Sequence, residues 1–529
     1  MGVTNLVERR LQMEAKKLSA EELIANLQID EMTIKPSEKY NGNFGNFFGG
    51  VDMGGVVEPK TNELANKVLA FVLSGFSSHY RIPVAIFLVN KLTVEEQTKL
   101  TIHVIQRTEV SGFNIFRLVT DNLSTNVKMF ALLNGGEKCE ELRVVVPHPV
   151  DEMAQQRLRP CIFRPLVLSF DPCHGLKNVI NQGVDRDCEI YGKLVSFKPL
   201  LLIYEMQQKE IEGGSLALPV RKLKRKHVMP NNLERQKVNL AIDVFRPDVI
   251  ATIQMHAENN VPGFENVDGI VTFLQTFQKW WALHDVSSTA EFIRKRLPDK
   301  MPYYSINDER LSWMDIDFLI YLDNKKHSII KDRLKKMPNK TKEDKANRRK
   351  EEKNMFTKET FTAVKFITKS TVYTVRYLLN NGFHFVLTRR FSSDDVERFF
   401  GSVRQMMGGN FQGNAYGVLT LFERILRTGI AYASVHSNVI LRTEKERDYE
   451  LIMEKCSKKR ARNELKFLPS SKLLVLNELL LPPSIRPYLF KHLSEQRLII
   501  LISRVVQVCH QMFQRLQLLP LLLDMYLIF

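Results

Sequence analysis

Residues 392–404 read SSDDVERFFGSVR, and the apolar side chains of this stretch recur at the spacing of one helical face. Two serines suit the N-cap position, and Asp394 and Asp395 after them suit the positive end of a helix dipole. Glu397 lies one turn on, beside the apolar stripe, where a carboxylate is unfavourable unless a cation meets it. The stretch therefore predicts an amphipathic helix, and Glu397 taken alone is interpreted as a carboxylate at its surface edge.

Two segments upstream of this helix also carry an acid. Residues 27–34 form a β-rich run with Asp30 in the middle, and residues 113–121 form an apolar run that ends on Asp121. Two divalent metals can be held by such a set of three acids: one within a strand, one at the end of another strand, and Glu397 on a later helix. Hard oxygen ligands suit Mg²⁺ or Mn²⁺, and a metal pair steadies the attacking and leaving oxygens of phosphoryl transfer.

Length and composition limit the class of protein. A chain of 529 residues is too long for one ordinary core, so two or three domains are expected. Hydrophobic residues at 44% and charged residues at 26% are typical of a soluble globular protein and not of a disordered one. The formal charge of +17 indicates an acidic partner, with nucleic acid the first candidate. A ribosome-associated or membrane-surface protein would have the same balance of charge.

The cysteines argue against a disulfide scaffold and a zinc finger. None of the six forms a Cys-x-x-Cys pair, and such scattered thiols fit the reduced interior of the cell. Cys173 and His174 are the nearest approach to a metal-binding pair, but no second pair accompanies them. We interpret Cys173 as a buried thiol.

Neither end of the chain predicts a membrane segment. Glu8, Arg9 and Arg10 interrupt any apolar region near the start, so no signal peptide is predicted. Residues 516–529 are leucine-rich, but they are too short to span a bilayer and contain a proline and an aspartate. We interpret them as a docking segment or as an artefact of where the gene model ends.

The first 170 residues predict one N-terminal helix, then a run of strands, and then helices and strands in alternation, a pattern that we compare with the order βββαβαβα. A capping box at Thr93 opens a helix that is predicted to end near Val110. The other elements are predicted at 1–25 (helix), 27–34, 47–53, 68–76 and 84–89 (strands), 113–121 (strand), 124–133 (helix) and 165–170 (strand). This order is typical of an α/β ribonuclease-H-like fold, a mixed sheet flanked by helices, with functional side chains at strand ends.

From residue 183 the pattern changes to mostly helical segments, at 231–245, 267–283 and 289–297. Residues 331–353 are rich in lysine and arginine and are interpreted as a solvated helix or linker, or as part of a DNA-binding face. A helix is predicted over 357–380, ahead of the helix that carries Glu397. The basic run 458–462 is either a nuclear-import patch or a helix end.

Five motifs occur along the chain in a fixed order. They are IDEMTIK at 29–35, VTDNLSTN at 119–126, FDPCHGLKN at 170–178, HVMP at 227–230 with KVNLA at 237–241, and DDVERFFGSVR at 394–404 with GGN at 408–410. This ordered set resembles the P-element transposase family, including its THAP-domain-bearing descendants. The resemblance extends over about 25–435.

The resemblance implies a ribonuclease-H-like domain split by an inserted guanine-nucleotide-binding domain. It further implies a catalytic triad of Asp30, Asp121 and Glu397 that binds Mg²⁺ or Mn²⁺, with Asp394 and Lys237 as candidates for nucleotide (GTP) contact. The predicted division is a helix at 1–25, the first part of the ribonuclease-H-like domain at 26–182, the insertion at 183–355, the final part at 356–435 and a basic, leucine-rich tail at 436–529.

The chain departs from the family pattern at three places. Ile180 stands where the family usually has arginine, and Gly175 replaces a larger apolar residue. The chain also begins just upstream of the first catalytic strand, so the THAP zinc finger and the helix-turn-helix of the family are expected to be absent.

The predicted function is metal-dependent cleavage and transfer of DNA strands by a transposase-derived nuclear protein that is not autonomously mobile. Asp30 would contact both metals, while Asp121 and Glu397 would each hold one. Residues 221–226 and 331–353 would bind the DNA backbone without sequence preference, although 221–226 equally fit a solvated loop. A homo-oligomer is compatible with this function.

Two alternatives remain open. One is a domesticated, catalytically inactive descendant that serves as a DNA-binding or assembly module. The other is a GTP-binding switch, although the chain has no Gly-x-x-x-x-Gly-Lys-Ser/Thr loop.

Overall fold

The computed structural model describes residues 1–41, 46–58, 63–136, 142–150, 164–214, 218–323, 356–408 and 413–428. Contacts divide the chain into two units, Met1–Ile440 and Leu441–Phe529, and every described residue belongs to the first. The predictions for 331–353, 458–462 and 516–529 lie outside the described residues.

A six-stranded mixed sheet occupies the first 170 residues, in the spatial order β5-β4-β1-β6-β8-β7. Its strands are β1 (Ile24–Thr33), β4 (Lys67–Gly75), β5 (Arg81–Val89), β6 (Asn114–Thr120), β7 (Val145–Pro147) and β8 (Pro165–Phe170). The pairs β1–β6 and β6–β8 are parallel, and the other three are antiparallel. Two hairpins lie outside this sheet, formed by β2 (Lys39–Asn41) with β3 (Asn46–Phe48) and by β9 (Cys188–Ile190) with β10 (Lys193–Val195).

Helices account for most of the remaining described residues. They are α1 (Asn5–Ala15), α2 (Val94–Val110), α3 (Ser124–Leu133), α4 (Pro172–Asp185), α5 (Lys198–Glu212), α6 (Arg225–Val228), α7 (Val238–Val244), α8 (Pro247–Glu258), α9 (Asp268–His284), α10 (Glu291–Lys295), α11 (Glu309–Ser312), α12 (Lys358–Asn380), α13 (Asp394–Met406) and α14 (Ala415–Thr428). Short 3₁₀ turns occupy Glu234–Gln236, Pro298–Lys300 and Thr388–Phe391, and a π-helical segment, Trp313–Phe318, continues α11. None of the described helices is long and apolar enough to cross a membrane.

The predicted α/β class with a mixed sheet flanked by helices is confirmed. The apolar runs of β4 and β5 are buried almost throughout, as expected of strands covered on both faces. Helices α1 and α2 pack on β5, α12 packs on β8, and α13 packs on β1 and β4. Because α12 and α13 come from beyond residue 357, the late part of the chain completes the layer over the early sheet.

Three predicted helices are shorter in the structure, each for a local reason. The helix predicted over 1–25 ends at Ala15, and a turn in which Ser19 N–H donates to Glu22 (3.0 Å) leads into β1. The helix predicted over 231–245 is divided at Lys237, whose extended backbone separates a 3₁₀ turn from α7. The third, α10, ends where Arg296 adopts the left-handed conformation.

The segment between β8 and α12 is mainly helical and packs around aromatic side chains of α9. Phe273, Phe277 and Trp280 are fully buried there, and the Trp280 indole donates a hydrogen bond of 2.8 Å to Thr368 Oγ1 on α12. The close packing also explains Gly175, which the sequence showed as a departure from the family pattern. A Cβ at Gly175 would lie 2.8 Å from Cδ1 of Ile367, so a side chain at this position in α4 requires the buried Ile367 of α12 to shift.

Candidate active site

The parallel pair β1–β6 brings Asp30 and Asp121 to the same edge of the sheet. Gln28 on β1 is paired with Val119 on β6, and each acid lies two residues further along its strand direction. Asp30 is half-buried, and its Oδ1 accepts a hydrogen bond of 2.7 Å from the N–H of Glu31. Asp121 follows the last residue of β6, as predicted for an acid at a strand end.

The side chain of Asp121 is held in place by the loop and helix that follow it. Its Oδ1 accepts hydrogen bonds from Asn126 Nδ2 (2.6 Å) and from the N–H of Leu123 (3.2 Å). Asn126 itself accepts from Gln97 on α2, which fixes the amide that holds the carboxylate. Asp121 therefore has a defined orientation before any ligand binds.

A row of polar side chains on β1 attaches the late helix α13 to the sheet. Asn26 and Gln28 are fully buried and share a face of the strand with Asp30. Asn26 Nδ2 donates to the carbonyl of Arg390 (3.2 Å), and Gln28 Oε1 accepts from the N–H groups of Asp395 (3.0 Å) and the next residue (3.1 Å). Gln28 Nε2 also donates to Asp395 Oδ2 at 3.1 Å. The first turn of α13, and with it Glu397, is thereby fixed next to the strand that carries Asp30.

The start of α4 provides the third wall of the site. Asp171 caps this helix by accepting from the N–H of His174 (3.1 Å), and its other oxygen accepts from the N–H of Ser393 (3.2 Å). His174 Nε2 lies 3.2 Å from Glu397 Oε1. A possible metal-binding group is formed by Asp171, His174 and Glu397, whose ligand atoms lie within 4.8 Å of one another. Among the residues that the structure describes, no other three His, Cys, Asp or Glu side chains are grouped in this way.

Electrostatics show that the predicted acids interact. Burial raises the pKa of Asp30 to about 8, and the negative charges of Asp121 and Glu397 contribute to the shift. Burial also raises the pKa of Asp121, against the lowering effects of His174 and of the two hydrogen bonds. A carboxyl group with the pKa of Asp30 carries a proton at pH 7 unless a cation takes the place of that proton.

Glu397 behaves differently because it has a positive partner. Burial would raise the pKa of Glu397, but the hydrogen bond and charge of His174, together with Lys177 and Arg389, hold it below its ordinary value. Burial would lower the pKa of His174, yet the bond to Glu397 and the carboxylates around it raise that pKa to about 9. At neutral pH His174 and Glu397 therefore form an ion pair, and an imidazolium is a poor metal ligand.

The structure does not bring together Asp394 and Lys237, the two candidates for nucleotide contact. Asp394 is buried at the first position of α13, 2.5 Å from Arg389 Nη2, and burial raises its pKa to about 6. Lys237 is exposed immediately before α7. No hydrogen bond or ion pair connects these two side chains in the described part of the chain. Asp394 forms a buried ion pair with Arg389, and the nucleotide contact of Asp394 and Lys237 stays a prediction.

Arg389 connects α13 to the end of α9. Arg389 forms an ion pair with Asp394, and its guanidinium also lies 3.4 Å from Oδ1 of the fully buried Asp285. It further donates a hydrogen bond of 3.3 Å to Cys173 Sγ. Cys173 is buried and free, as predicted from the sequence. No local pattern predicts the role of Arg389, because its partners other than Asp394 lie more than 100 residues away in the sequence.

Two further features bear on ligand binding. A cavity of about 300 Å³ lies between α4 and α5, and Asp185, Arg186, Asp187 and Lys198 are among its lining residues. Neither Asp394 nor Lys237 lines it. The basic side chains of 221–226 are mainly exposed around the buried Leu223, which fits both a DNA-binding loop and a solvated one.

Comparisons with known proteins agree with this architecture. Residues 1–134 match the family model of the TNP-like RNase H N-terminal domain, and residues 173–297 match that of the TNP-like GTP-binding insertion domain. The chain is 20% identical over 315 residues to the DNA transposase THAP9 of Homo sapiens, a match that covers 59% of this chain and 33% of that protein. The chain thus spans about a third of the length of this curated relative.

A solved structure shares the fold. The Drosophila P element transposase strand transfer complex superposes with a TM-score of 0.58 at 17% sequence identity, covering 80% of this chain and 81% of that chain. These matches confirm the predicted resemblance to the P-element transposase family. They also confirm the predicted ribonuclease-H-like core with an insertion domain.

Proposed function

We propose that this chain is the core of a DNA transposase, in which Asp30, Asp121 and Glu397 bind divalent metal and support phosphoryl transfer on DNA. The observation that carries the proposal is geometric: the parallel pair β1–β6 brings Asp30 and Asp121 to one edge of the sheet, and Gln28 fixes the first turn of α13, which carries Glu397, next to β1. The raised pKa of Asp30, to about 8, agrees with this arrangement. Crowded acids at the end of a central strand are unfavourable by themselves, and such arrangements are typical of sites that bind a cation.

The donor set fits a hard divalent cation. Three carboxylates offer oxygen ligands only, which suits Mg²⁺ or Mn²⁺, and a bound cation would offset both the burial and the repulsion that raise the pKa of Asp30. When bound, such metals supply the charge that steadies the attacking and leaving oxygens of a phosphate during in-line displacement. In this proposal Asp30 contacts both metals, and Asp121 and Glu397 hold one each.

The surrounding side chains orient these acids. Asn126 fixes Asp121, Gln28 fixes the first turn of α13, and His174 holds Glu397 Oε1 from the side of α4. In this proposal Asp171 supports the site, because its two oxygens join the start of α4 at His174 to Ser393, immediately before α13. Such preorganisation keeps reacting groups in place without reorganisation at each turnover.

DNA is the proposed partner, bound without sequence preference, and the nucleus is the proposed location. The charge of +17 and the exposed basic residues 221–226 support a surface that neutralises backbone phosphates. A homo-oligomer also stays a proposal. For the domain division, the packing of α12 on β8 supports an excursion at 183–355 between two parts of one domain at 26–182 and 356–435.

A nicking assay on supercoiled DNA tests the central proposal. Wild-type protein should nick DNA with Mg²⁺ or Mn²⁺, while Glu397→Gln and Asp30→Asn should abolish nicking and leave salt-sensitive DNA binding nearly unchanged. Glu423→Gln is the matched control, because Glu423 is an exposed carboxylate on α14. Wild-type protein that binds DNA but never nicks it would favour the catalytically inactive, DNA-binding alternative.

A second candidate function is GTP binding by the insertion. The observation in favour is the match of residues 173–297 to a GTP-binding insertion domain. Labelled GTP should bind the full chain, and Lys237→Ala should weaken that binding if the exposed lysine contacts phosphate. Asp394→Asn tests the other candidate and keeps the size of the side chain beside Arg389. No binding of GTP by wild-type protein would contradict this function.

A further inference from the structure

Arg404 lies on the same face of α13 as Glu397. The two positions are seven residues apart, which is close to two full helical turns, so Arg404 follows Glu397 along the helix at a rise of about 10 Å. Its side chain is neither buried nor freely solvated, as expected at the border between the core and a cleft.

The guanidinium of Arg404 is within the electrostatic field of the candidate active site. Burial lowers the pKa of Arg404, and the negative charges of Asp30 and Glu397 act on it in the opposite direction. Both acids that influence Arg404 belong to the proposed metal-binding triad. Together with its place on the Glu397 face of α13, this interaction puts the positive charge of Arg404 on the same side of the helix as the proposed site.

Other arginines near the start of α13 already have partners within the fold. Arg398 lies 3.3 Å from Asp395 Oδ1, and Arg389 is paired with Asp394 and Asp285. In contrast, no hydrogen bond or ion pair joins Arg404 to any residue that the structure describes. A partly desolvated guanidinium without a partner is unfavourable, and its planar set of donors matches phosphate oxygens.

We propose that Arg404 binds a phosphate of the DNA strand beside the Asp30–Glu397 centre. This role rests on the proposed function, which it deepens by naming a residue that contacts the substrate. The competing explanation is that Arg404 only balances the charge of the two acids within the folded protein. A phosphate contact changes how binding depends on salt, whereas internal charge balance does not.

The test compares Arg404→Ala, Arg404→Lys and the control Arg427→Ala in the full chain. Arg427 is an exposed arginine on the neighbouring helix α14, so its replacement removes the same charge away from the acids. DNA affinity is measured over a range of salt concentrations with Ca²⁺ present, and single-turnover nicking is measured with Mn²⁺. Melting temperatures without metal show whether each variant is folded.

We expect Arg404→Ala to reduce the slope of log affinity against log salt by about one unit. Nicking should slow roughly 10- to 100-fold, the loss expected for a hydrogen bond to a charged group. Arg404→Lys should keep the salt slope and lose part of the nicking rate, because lysine retains the charge without the planar donors. Arg427→Ala should keep the salt slope and the nicking rate of the wild-type protein.

Several outcomes would overturn the assignment of Arg404. An unchanged salt slope for Arg404→Ala would do so even if wild-type protein nicks DNA. Equal losses of slope in Arg404→Ala and Arg427→Ala would show a general charge effect. If wild-type protein does not nick, the proposed function fails, and the salt slope still decides whether Arg404 contacts phosphate. If Arg404→Ala does not fold, a nicking rate of Arg404→Lys equal to wild type overturns the proposal.

Discussion

Replacing Gln28 with methionine tests how α13 is attached to the sheet. The side chain of Gln28 is fully buried and makes four hydrogen bonds: to Ser74, to Oδ2 of Asp395, and to the N–H groups of Asp395 and Val396. Methionine has a similar length and is apolar, so Gln28→Met removes all four bonds without leaving a large cavity. Any loss of stability then reports on the polar contacts.

The size of the effect follows from the groups that lose a partner. Each buried N–H left without an acceptor is unfavourable by about 1–3 kcal/mol, and two such groups open α13. The carboxylate of Asp395 loses less stabilisation, because Arg81 (2.6 Å) and Arg398 (3.3 Å) still neutralise its charge. We expect the free energy of unfolding to fall by about 3–5 kcal/mol, a large part of the 5–15 kcal/mol typical of a folded protein.

Urea unfolding of the full chain measures this loss, with Gln207→Met as the matched control. Gln207 is also buried, but it accepts one hydrogen bond, from the N–H of Val220 (3.0 Å), in the helical segment away from α13. The free energy of unfolding of the Gln207→Met control should fall by about 1–2 kcal/mol. Gln28→Met should also weaken the rise in melting temperature caused by Mn²⁺, because Glu397 is no longer held in place. Equal destabilisation by the two variants would refute the attachment of α13 through Gln28.

Three further predictions concern the support of the site. Gly175→Ala should destabilise the protein by about 1–3 kcal/mol because its Cβ would meet Ile367, and adding Ile367→Val should recover part of this loss in urea unfolding. Arg389→Ala should lower the free energy of unfolding by about 3–5 kcal/mol at pH 7, since it leaves buried Asp394 without its cation, and Arg389→Lys should lose less. His284 should make the protein acid-sensitive: burial lowers its folded pKa to about 4 from an ordinary 6.5, so the unfolded state binds the proton first. The stability contributed by neutral His284 is complete above pH 6.5 and is lost between pH 6.5 and 4, at about 1.4 kcal/mol per pH unit. The free energy of unfolding of a His284→Gln variant should therefore fall less steeply over this pH range.

The sequence predicts those parts of the fold that local patterns specify. The apolar runs around Asp30 and Asp121 predict the two strands correctly, because both strands are buried along most of their length. The helical spacing around Glu397 predicts α13 correctly, because burial of one helix face imposes a period. Local capping also predicts α2, where the box between Thr93 and Glu96 is present. The helix predicted over 1–25 is longer than the observed α1, because the apolar periodicity continues weakly past Ala15, where the chain turns toward β1.

Contacts between distant residues account for what the sequence did not reveal. The pairing of Gln28 with Asp395 spans 367 positions, and that of His174 with Glu397 spans 223. Neither has a signature within a local window. One signal was available: polar Asn26, Gln28 and Asp30 alternate with apolar residues over 25–30, which indicates a polar partner on one face of the strand.

Asp394 shows that a motif does not specify all the partners of a side chain. The resemblance implies nucleotide contact for Asp394, which stays a prediction, and the structure adds a buried ion pair with Arg389. The partner is only five residues away in sequence, but the turn that brings them together is a 3₁₀ segment followed by a helix start. Burial of the pair depends on α4 and α9, which the local sequence does not specify.

A crystal structure of the full chain grown with Mn²⁺ and measured for anomalous scattering tests the central claim most directly. The account predicts manganese bound to the carboxylates of Asp30 and Asp121, with Glu397 completing the site, and His174 beside Glu397 as a supporting group. Manganese bound instead by Asp171, His174 and Glu397 without Asp30, or no manganese at the end of β1, would contradict it.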